Sequence, residues 1–310
     1  MNTPKLSRQT GRRVERHNVH GIVLLDKPLG YSSNDALHKA KRILNAKKAG
    51  HTGTLDPLAT GLLPLCFGEA TKFSNTLLNS DKTYEATIRF GVTRVGGDLE
   101  GEVLQERPIK HTNAELVSVL RQFTGQIMQT PPMHSALKKE GVALYELARK
   151  GIEIPRTPRA VRVHSLDLLE NTAFTETTPE TVVLRAHVSK GTYIRTLAED
   201  IGEALGCGAH LTALRRIAVG NLRIEEAISL QTLLEHPDPT ACLQAVDTLV
   251  GHLPCVELNE AEAQRVLQGQ RLAWAGPEQG LVRIHHREQF LGLAHIEARR
   301  LQPSRLINLN

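Results

Sequence analysis

One stretch of this sequence breaks the hydrophobic periodicity on either side of it: Gly50-His51-Thr52-Gly53-Thr54-Leu55-Asp56-Pro57-Leu58-Ala59-Thr60-Gly61. Glycines and a proline make it a loop of constrained backbone, and it carries a single carboxylate, Asp56. A carboxylate pre-positioned on a rigid loop between apolar strands can act as a nucleophile or as a base. The plainer alternative is that Asp before Pro simply initiates a turn. Other residues share this ambiguity. Tyr84 is a core tyrosine or a group at a site, Arg195 a surface arginine or a partner for a carboxylate, and Lys27 a strand-end charge or a support. Periodicity does not join these residues, so at this level the choice stays open.

Several chemistries lack their motifs. No G-x-x-x-x-G-K-[ST] run offers a phosphate cradle, and neither H-E-x-x-H nor G-x-S-x-G occurs. The 14 histidines do not repeat a known metal-ligand spacing. His285 and His286 are neighbours on an expected strand and so point to opposite faces. The expectation is that the chain holds no metal, and the missing nucleotide motif agrees with a chemistry that needs no cofactor. Cys66, Cys207, Cys242 and Cys255 are scattered without a C-x-x-C pair, which fits free thiols in a reducing compartment.

The elements that must position these residues follow from pattern. Ile22 to Leu25 suits a buried strand, and a helix capped by Ser32 or Ser33 should follow, with Ala36, Leu37, Ala40, Ile43 and Leu44 on one face. After the loop come an apolar strand from Leu62 to Phe67, a short helix, and an alternating strand from Lys82 to Phe90 with Tyr84 on its apolar side. Thr112 and Glu115 form a capping box that opens a helix. Gln129 to Met133 must be extended because of its prolines. A helix from about Val142 to Lys150 and strands near Ala160–Leu169 and Thr181–Val188 come next. Gly191 to Arg195 then leads into a helix that buries Ile194, Leu197, Ala198, Ile201 and Leu205. Beyond a linker near Gly251–Pro254, a helix (Glu260 to Gln268) precedes strands at Leu281–Ile284, Phe290–Leu293 and Ala294–Ile296. The fold class is α+β: a mixed, mostly antiparallel sheet with packed helices and a small β-rich C-terminal module. The expected divisions are a basic flexible arm at 1–19, a catalytic domain at 20–249 and the module at 250–310.

Composition points to a polyanionic partner. The net charge is +5 and the pI near 9.1. The basic residues concentrate in the N-terminal arm, in Lys39, Lys41, Arg42, Lys47 and Lys48, and in Lys138, Lys139, Arg149, Lys150, Arg156 and Arg159. Such clusters are either solvated faces or phosphate contacts. The N-terminal segment has no apolar core of a signal peptide, and no stretch is long and apolar enough to span a bilayer, so a cytosolic location is expected.

Against that background the loop from Gly50 to Leu63 resembles the signature loop of TruB-type tRNA pseudouridine synthases. Leu25-Asp26-Lys27-Pro28-Leu29-Gly30 is similar to that family's first motif, and Lys82-Thr83-Tyr84 to its tyrosine motif. Gln129-x-Pro131-Pro132-x-x-Ser135-Ala136-Leu137-Lys138, followed by Leu144-Tyr145, resembles the next. Ser189-Lys190-Gly191-Thr192-Tyr193-Ile194-Arg195 and Leu214-Arg215-Arg216 resemble the last two, in the family's order.

The resemblance implies isomerisation of uridine 55 in the TΨC loop of tRNA by a stand-alone, monomeric enzyme that needs no protein partner. Asp56 would be the essential carboxylate, Tyr84 would lie against the uracil near C5, and Arg195 would pair with Asp56. Tyr193 and Leu214 would line the uracil pocket, His51 would contact the RNA loop, Lys27 would support the site and Asp98 would be a second partner for Arg195. The run Arg94-Val95-Gly96-Gly97 ahead of Asp98 departs from the family's usual threonines, which bears on the local loop geometry. The C-terminal module resembles a PUA-like RNA-binding domain, with a structural cap as the alternative. Two rivals are an RNA-binding protein that has lost catalysis, opposed by the presence of Asp56 and Tyr84, and a glycosidase, which would require a second carboxylate at suitable distance.

Overall fold

The computed structural model describes residues 16–169 and 180–309. The basic arm up to residue 15 lies outside these residues. A 10-stranded sheet forms the main body. Its principal strands run in the order Ile228–Ser229, Gly21–Lys27, Ala59–Phe67, Ala209–Val219, Lys82–Phe90, Thr181–Val188, Arg159–Leu168 and Gly125–Gln129. Pairing is parallel between Gly21–Lys27 and Ile228–Ser229 and between Ala59–Phe67 and Ala209–Val219, and antiparallel along the rest of this order. The expected mixed, mostly antiparallel α+β fold is what the chain adopts.

The two faces of the sheet are finished differently. Val23 and Leu25 point into one core with the buried sides of helices Ser33–Ile43, Asn113–Gln122 and Ile194–Ala204. Ile22 and Leu24 point the other way, into a second core with Phe73, Leu77, Leu249 and Val250. A strand covered on both faces must be apolar throughout, which is why Ile22 to Leu25 has no alternation. Towards the Gly125–Gln129 edge only the helical face is covered. There the strands alternate, as in Lys82–Phe90, where Tyr84, Ala86, Ile88 and Phe90 are buried and Thr83, Glu85, Thr87 and Arg89 are not.

Two of the three long helices of the main body start from a capping box, and Ile194–Ala204 starts at Tyr193 without a side-chain cap. Ser32 caps Ser33–Ile43 in a capping box with Asp35, and Thr112 does the same with Glu115 for Asn113–Gln122. The segment expected as one helix from Val142 instead begins with a hairpin, Lys138–Lys139 against Val142–Ala143, and the helix covers only Leu144–Ala148. Glu140 and Gly141 at its tip have φ of 52° and 85°, a turn geometry that helix periodicity does not reveal.

The C-terminal strands form a separate sheet in the order Cys255–Glu257, Gly280–His286, Gln289–Glu297, Arg300–Leu306 and Leu272–Ala273. The two short strands expected at Phe290–Leu293 and Ala294–Ile296 are one continuous strand. The next strand, Arg300–Leu306, carries Pro303 opposite Ala294 at a register shift. Proline is tolerated there because the other side of that strand is paired only at Arg300 and Leu301. This sheet docks on the main body through Phe290, Leu293 and Ile307 in the second core. Lys72 Nζ donates to Leu306 O at 3.0 Å and the Asn308 amide to Glu69 Oε2 at 2.7 Å across the same junction. Among the described residues no helix is long and apolar enough to cross a membrane.

Candidate active site

The loop holding Asp56 is fixed from three directions. Ser33 Oγ, at the start of its helix, accepts from the Leu55 amide at 2.7 Å and donates to Leu55 O at 3.0 Å, so the residue before Asp56 is clamped on both its polar groups. The Gly30 amide donates to Pro57 O at 2.9 Å, joining the loop to the turn after the first strand. Arg216, itself 1% exposed, donates from Nε to Leu62 O at 2.8 Å and from Nη2 to Gly53 O at 3.2 Å. The backbone of that strand comes so close at Gly61, with φ of 97°, that a Cβ there would lie 2.3 Å from Arg216 O. Glycine is required at that crossing.

Lys27 anchors the turn below. It is fully buried, and its ammonium donates to Tyr31 O at 2.5 Å and Pro28 O at 3.0 Å. Burial lowers its pKa to about 8, against the pull of Asp56. Lys27 does stand at the end of its strand, Gly21–Lys27, but its side chain is enclosed rather than in solvent.

Arg195 is also buried rather than on the surface. Its Nη2 lies 2.8 Å from Asp56 Oδ2 and its Nε 3.5 Å from Asp98 Oδ2. The same guanidinium donates to Gly96 O at 2.9 Å and to His134 O at 2.6 Å. The Arg195 side chain is 7% exposed, Asp98 8% and Asp56 42%. The Asp56–Arg195 pair is therefore asymmetric. The cation and one carboxylate are enclosed, and the second carboxylate faces open space with its geometry set from behind.

The Val95–Gly96–Gly97 run fits this arrangement. Gly96 and Gly97 have φ of 78° and 75°, and a Cβ on Gly97 would sit 2.7 Å from the Glu199 carboxyl carbon. The glycines let the chain turn so that Gly96 O meets Arg195 and Asp98 reaches its Nε. Glu199, one helical turn beyond Arg195, has its pKa pushed up to about 7 by burial and by Asp200, with Arg195 opposing.

Asp56, Tyr84, Tyr193, Arg195 and Leu214 all line one cleft of about 240 Å³, together with Lys82 and Arg216. Tyr84 comes from the Lys82–Phe90 strand, directly opposite Arg216 in the neighbouring one. It also belongs to the main hydrophobic core, so its two alternative roles are compatible. Tyr193 is held by Gln129, whose amide donates to Tyr193 O at 3.0 Å and accepts from its N–H at 2.8 Å. Arg159 lies over the Tyr193 ring at 5.3 Å. Asp98 is not in this cleft but lines the groove of about 1010 Å³ that opens from Asp56 and Arg195 towards Lys138, Tyr145 and Arg149.

His51 is not among the residues lining either space. It sits half-buried on Ala49–His51, paired with Leu65, and burial together with Arg216 lowers its pKa.

The sequence offers Ser33 only as an alternative helix cap and singles out no role for Lys82, Gln129, Glu199 or Arg216. Lys82 donates to Leu77 O, Leu78 O and Ser80 O at 3.0, 3.0 and 2.6 Å, and burial lowers its pKa to about 8. Lys82, Gln129 and Arg216 stand within the quoted motifs, where position alone gave the signal that they matter. Nothing in the sequence distinguishes Ser33 as a clamp.

Residues 41–194 match the TruB family pseudouridylate synthase N-terminal domain, 195–250 the tRNA pseudouridylate synthase B C-terminal domain, and 254–307 the pseudouridine synthase II TruB C-terminal region. A tRNA pseudouridine synthase B from Cupriavidus pinatubonensis is 53% identical, over 96% of this chain and 97% of that protein. One from Ralstonia pickettii is 52% identical with the same coverage, 96% and 97%. A chain in the crystal structure of a Cbf5-Nop10-Gar1 complex superposes with a TM-score of 0.69 at 28% identity, covering 94% of this chain and 85% of that one. The chain belongs to the TruB family of pseudouridylate synthases.

Proposed function

We propose that the chain converts uridine 55 in the TΨC loop of tRNA to pseudouridine, with Asp56 as the essential carboxylate. The observation that carries this is the ion pair between Asp56, which faces the cleft, and the enclosed Arg195, in a cleft that Tyr84, Tyr193 and Leu214 also line. The relatives' names supply the tRNA substrate.

The reaction breaks the N1–C1′ bond, turns the uracil and joins C5 to C1′. The proton on C5 leaves and N1 gains one, so no electron or group is exchanged with a second reactant. Asp56 either attacks the ribose as a nucleophile or removes a ribose proton on a glycal route. Both roles need an ionised carboxylate held in one place, and Arg195 provides that from behind while leaving the other side of Asp56 free. Asp98 in turn holds Arg195. Tyr84 offers a ring for the uracil and a hydroxyl near C5. Because Asp56 is partly exposed in the free protein, entry of the base is what excludes water from it.

The uridine must be swung out of its stack, at a cost of a few kcal/mol that is least in an unpaired loop. Stacking against the cleft tyrosines returns about 1–3 kcal/mol. Lys138 and Arg149 line the wider groove beside the cleft, where tRNA phosphates would lie. Arg159, by contrast, is committed to Gly191 O at 2.6 Å and to Tyr193. His51 and Lys27 serve as a contact to the RNA loop and a support of the site. In this account residues 20–249 form the catalytic domain and 250–310 a PUA-like RNA-binding module. The enzyme works alone as a cytoplasmic monomer, without a cofactor.

The test is release of tritium from tRNA transcript labelled at C5 of uridine. Release from the normal transcript and none from one with cytidine at position 55 supports the assignment. Equal release from both contradicts it.

A further inference from the structure

We propose that Asp81, His164 and His187 form a binding site for a borderline divalent metal ion such as Zn²⁺. The site lies on the open face of the main sheet, behind the cleft. The three residues come from three separate places. Asp81 immediately precedes the Lys82–Phe90 strand, His164 lies in Arg159–Leu168 and His187 near the end of Thr181–Val188. Side chains alternate across a sheet. Lys82, Tyr84 and Val188 face the cleft, so Asp81 and His187, one residue away, face the opposite side.

His164 joins them because of an irregularity. Pairing between Arg159–Leu168 and Thr181–Val188 steps from Val163 opposite Val188 to Ser165 opposite His187, leaving His164 as the extra residue of a bulge. Bulges re-aim side chains. Here the bulge brings the His164 ring to 4.6 Å from that of His187, centroid to centroid, with the planes tilted by 33°. His164 Nε2 is also 3.0 Å from Asp81 Oδ2.

One ligand atom from each residue lies within 4.8 Å of the other two. Ligand atoms around a tetrahedral zinc with bonds of about 2.0–2.1 Å are about 3.3 Å apart. The His164 and Asp81 side chains are 31% and 44% exposed, so small rotations in open space close the set. Two imidazoles and a carboxylate suit zinc, cobalt or nickel rather than magnesium or calcium. A fourth position would remain for water. The chemistry is separate from the cleft and does not rest on the uridine assignment. A bound ion would tie together three strands immediately behind the wall that holds Lys82, Tyr84 and Val188.

The experiment is titration of untagged, chelator-free full-length protein with Co²⁺, followed by visible absorption, and with Zn²⁺, followed by calorimetry. The expected result is one equivalent bound, with the intense absorption of a four-coordinate cobalt that Zn²⁺ then bleaches. His164→Gln and His187→Gln should each weaken binding by more than the roughly 10–100-fold that loss of an outer-shell partner costs. Far-ultraviolet circular dichroism should be unchanged in both, because the substituted groups are exposed. Should either histidine variant misfold, Asp81→Asn provides the same comparison. Cobalt retaining the weak spectrum of the hydrated ion would overturn the proposal. So would a His164→Gln/His187→Gln double variant that binds the same equivalents with unchanged affinity, which would place the metal at other histidines.

Discussion

Arg195 lies 2.8 Å from Asp56, yet the two side chains sit in opposite settings, the arginine enclosed and the aspartate open to the cleft. Enclosing the cation means its position is set by the protein alone: Gly96 O, His134 O and Asp98 hold it before any RNA arrives. Arg195→Lys keeps the charge but loses the fork that reaches four partners. Its rate of tritium release should fall by about 10²–10³-fold, with tRNA binding little changed. Arg195→Ala leaves Asp98 enclosed without its cation and should destabilise the fold by about 3–5 kcal/mol in urea unfolding. A full rate for Arg195→Lys would mean that the fork is not needed.

Ser33 clamps the loop that carries Asp56, through both polar groups of Leu55. Ser33→Ala strands a buried amide and a buried carbonyl, and stability should fall by about 1–3 kcal/mol. Because Asp56 is the next residue, kcat should drop while KM stays close to the wild-type value. A change confined to KM would show that the clamp shapes RNA binding instead.

Gly97 gives a sharper test of the loop that departs from the family's threonines. With φ of 75° and Glu199 only 2.7 Å from an added Cβ, Gly97→Ala both strains the backbone and displaces the carboxylate. The variant should lose about 1–3 kcal/mol. Gly30→Ala has a similar φ of 81° but nothing within 4 Å of the added Cβ, so it should lose less. Equal losses would assign the effect to backbone strain alone.

Half-buried Glu199 and fully buried Lys27 give stability opposite pH dependences. Glu199 has a folded pKa raised from 4.5 to about 7, so the folded state binds more protons than the unfolded one between those values. Its contribution is fully present below pH 4.5 and is lost as pH rises through 7. Lys27 has a folded pKa lowered from 10.5 to about 8, so there the unfolded state binds more protons and stability recovers as pH rises from 8 to 10.5. Urea midpoints for Glu199→Gln and Lys27→Met, relative to wild type, should each remove one of these slopes. Slopes identical to wild type in both variants would contradict the assignments.

Much of this arrangement was legible in the residues. The alternation of Lys82–Phe90, the capping boxes at Ser32 and Thr112, and the rigid loop around Asp56 each follow from a local pattern. The strand Ala209–Val219 did not, although it occupies the middle of the sheet. It carries register shifts between Leu211 and Ala213 and between Arg216 and Ala218, which break the alternation that would reveal it. Those same irregularities accompany the turn of Leu214 and Arg216 towards the cleft. Arg195 reads as a solvent-facing charge because its burial depends on carbonyls supplied from distant segments, Gly96 and His134. Lys27 has local carbonyl partners, Pro28 O and Tyr31 O, but the turn that aims them at its ammonium has no linear signature. The contact between His164 and His187 arises from a bulge and has no linear signature.

The most direct measurement is single-turnover tritium release by Asp56→Asn, paired with a filter-binding titration of the same tRNA. The substitution is nearly isosteric and leaves Arg195 its carbonyl partners. The expected result is tRNA binding within a few-fold of wild type and no release above background. Release at a substantial fraction of the wild-type rate would show that Asp56 is not the essential carboxylate.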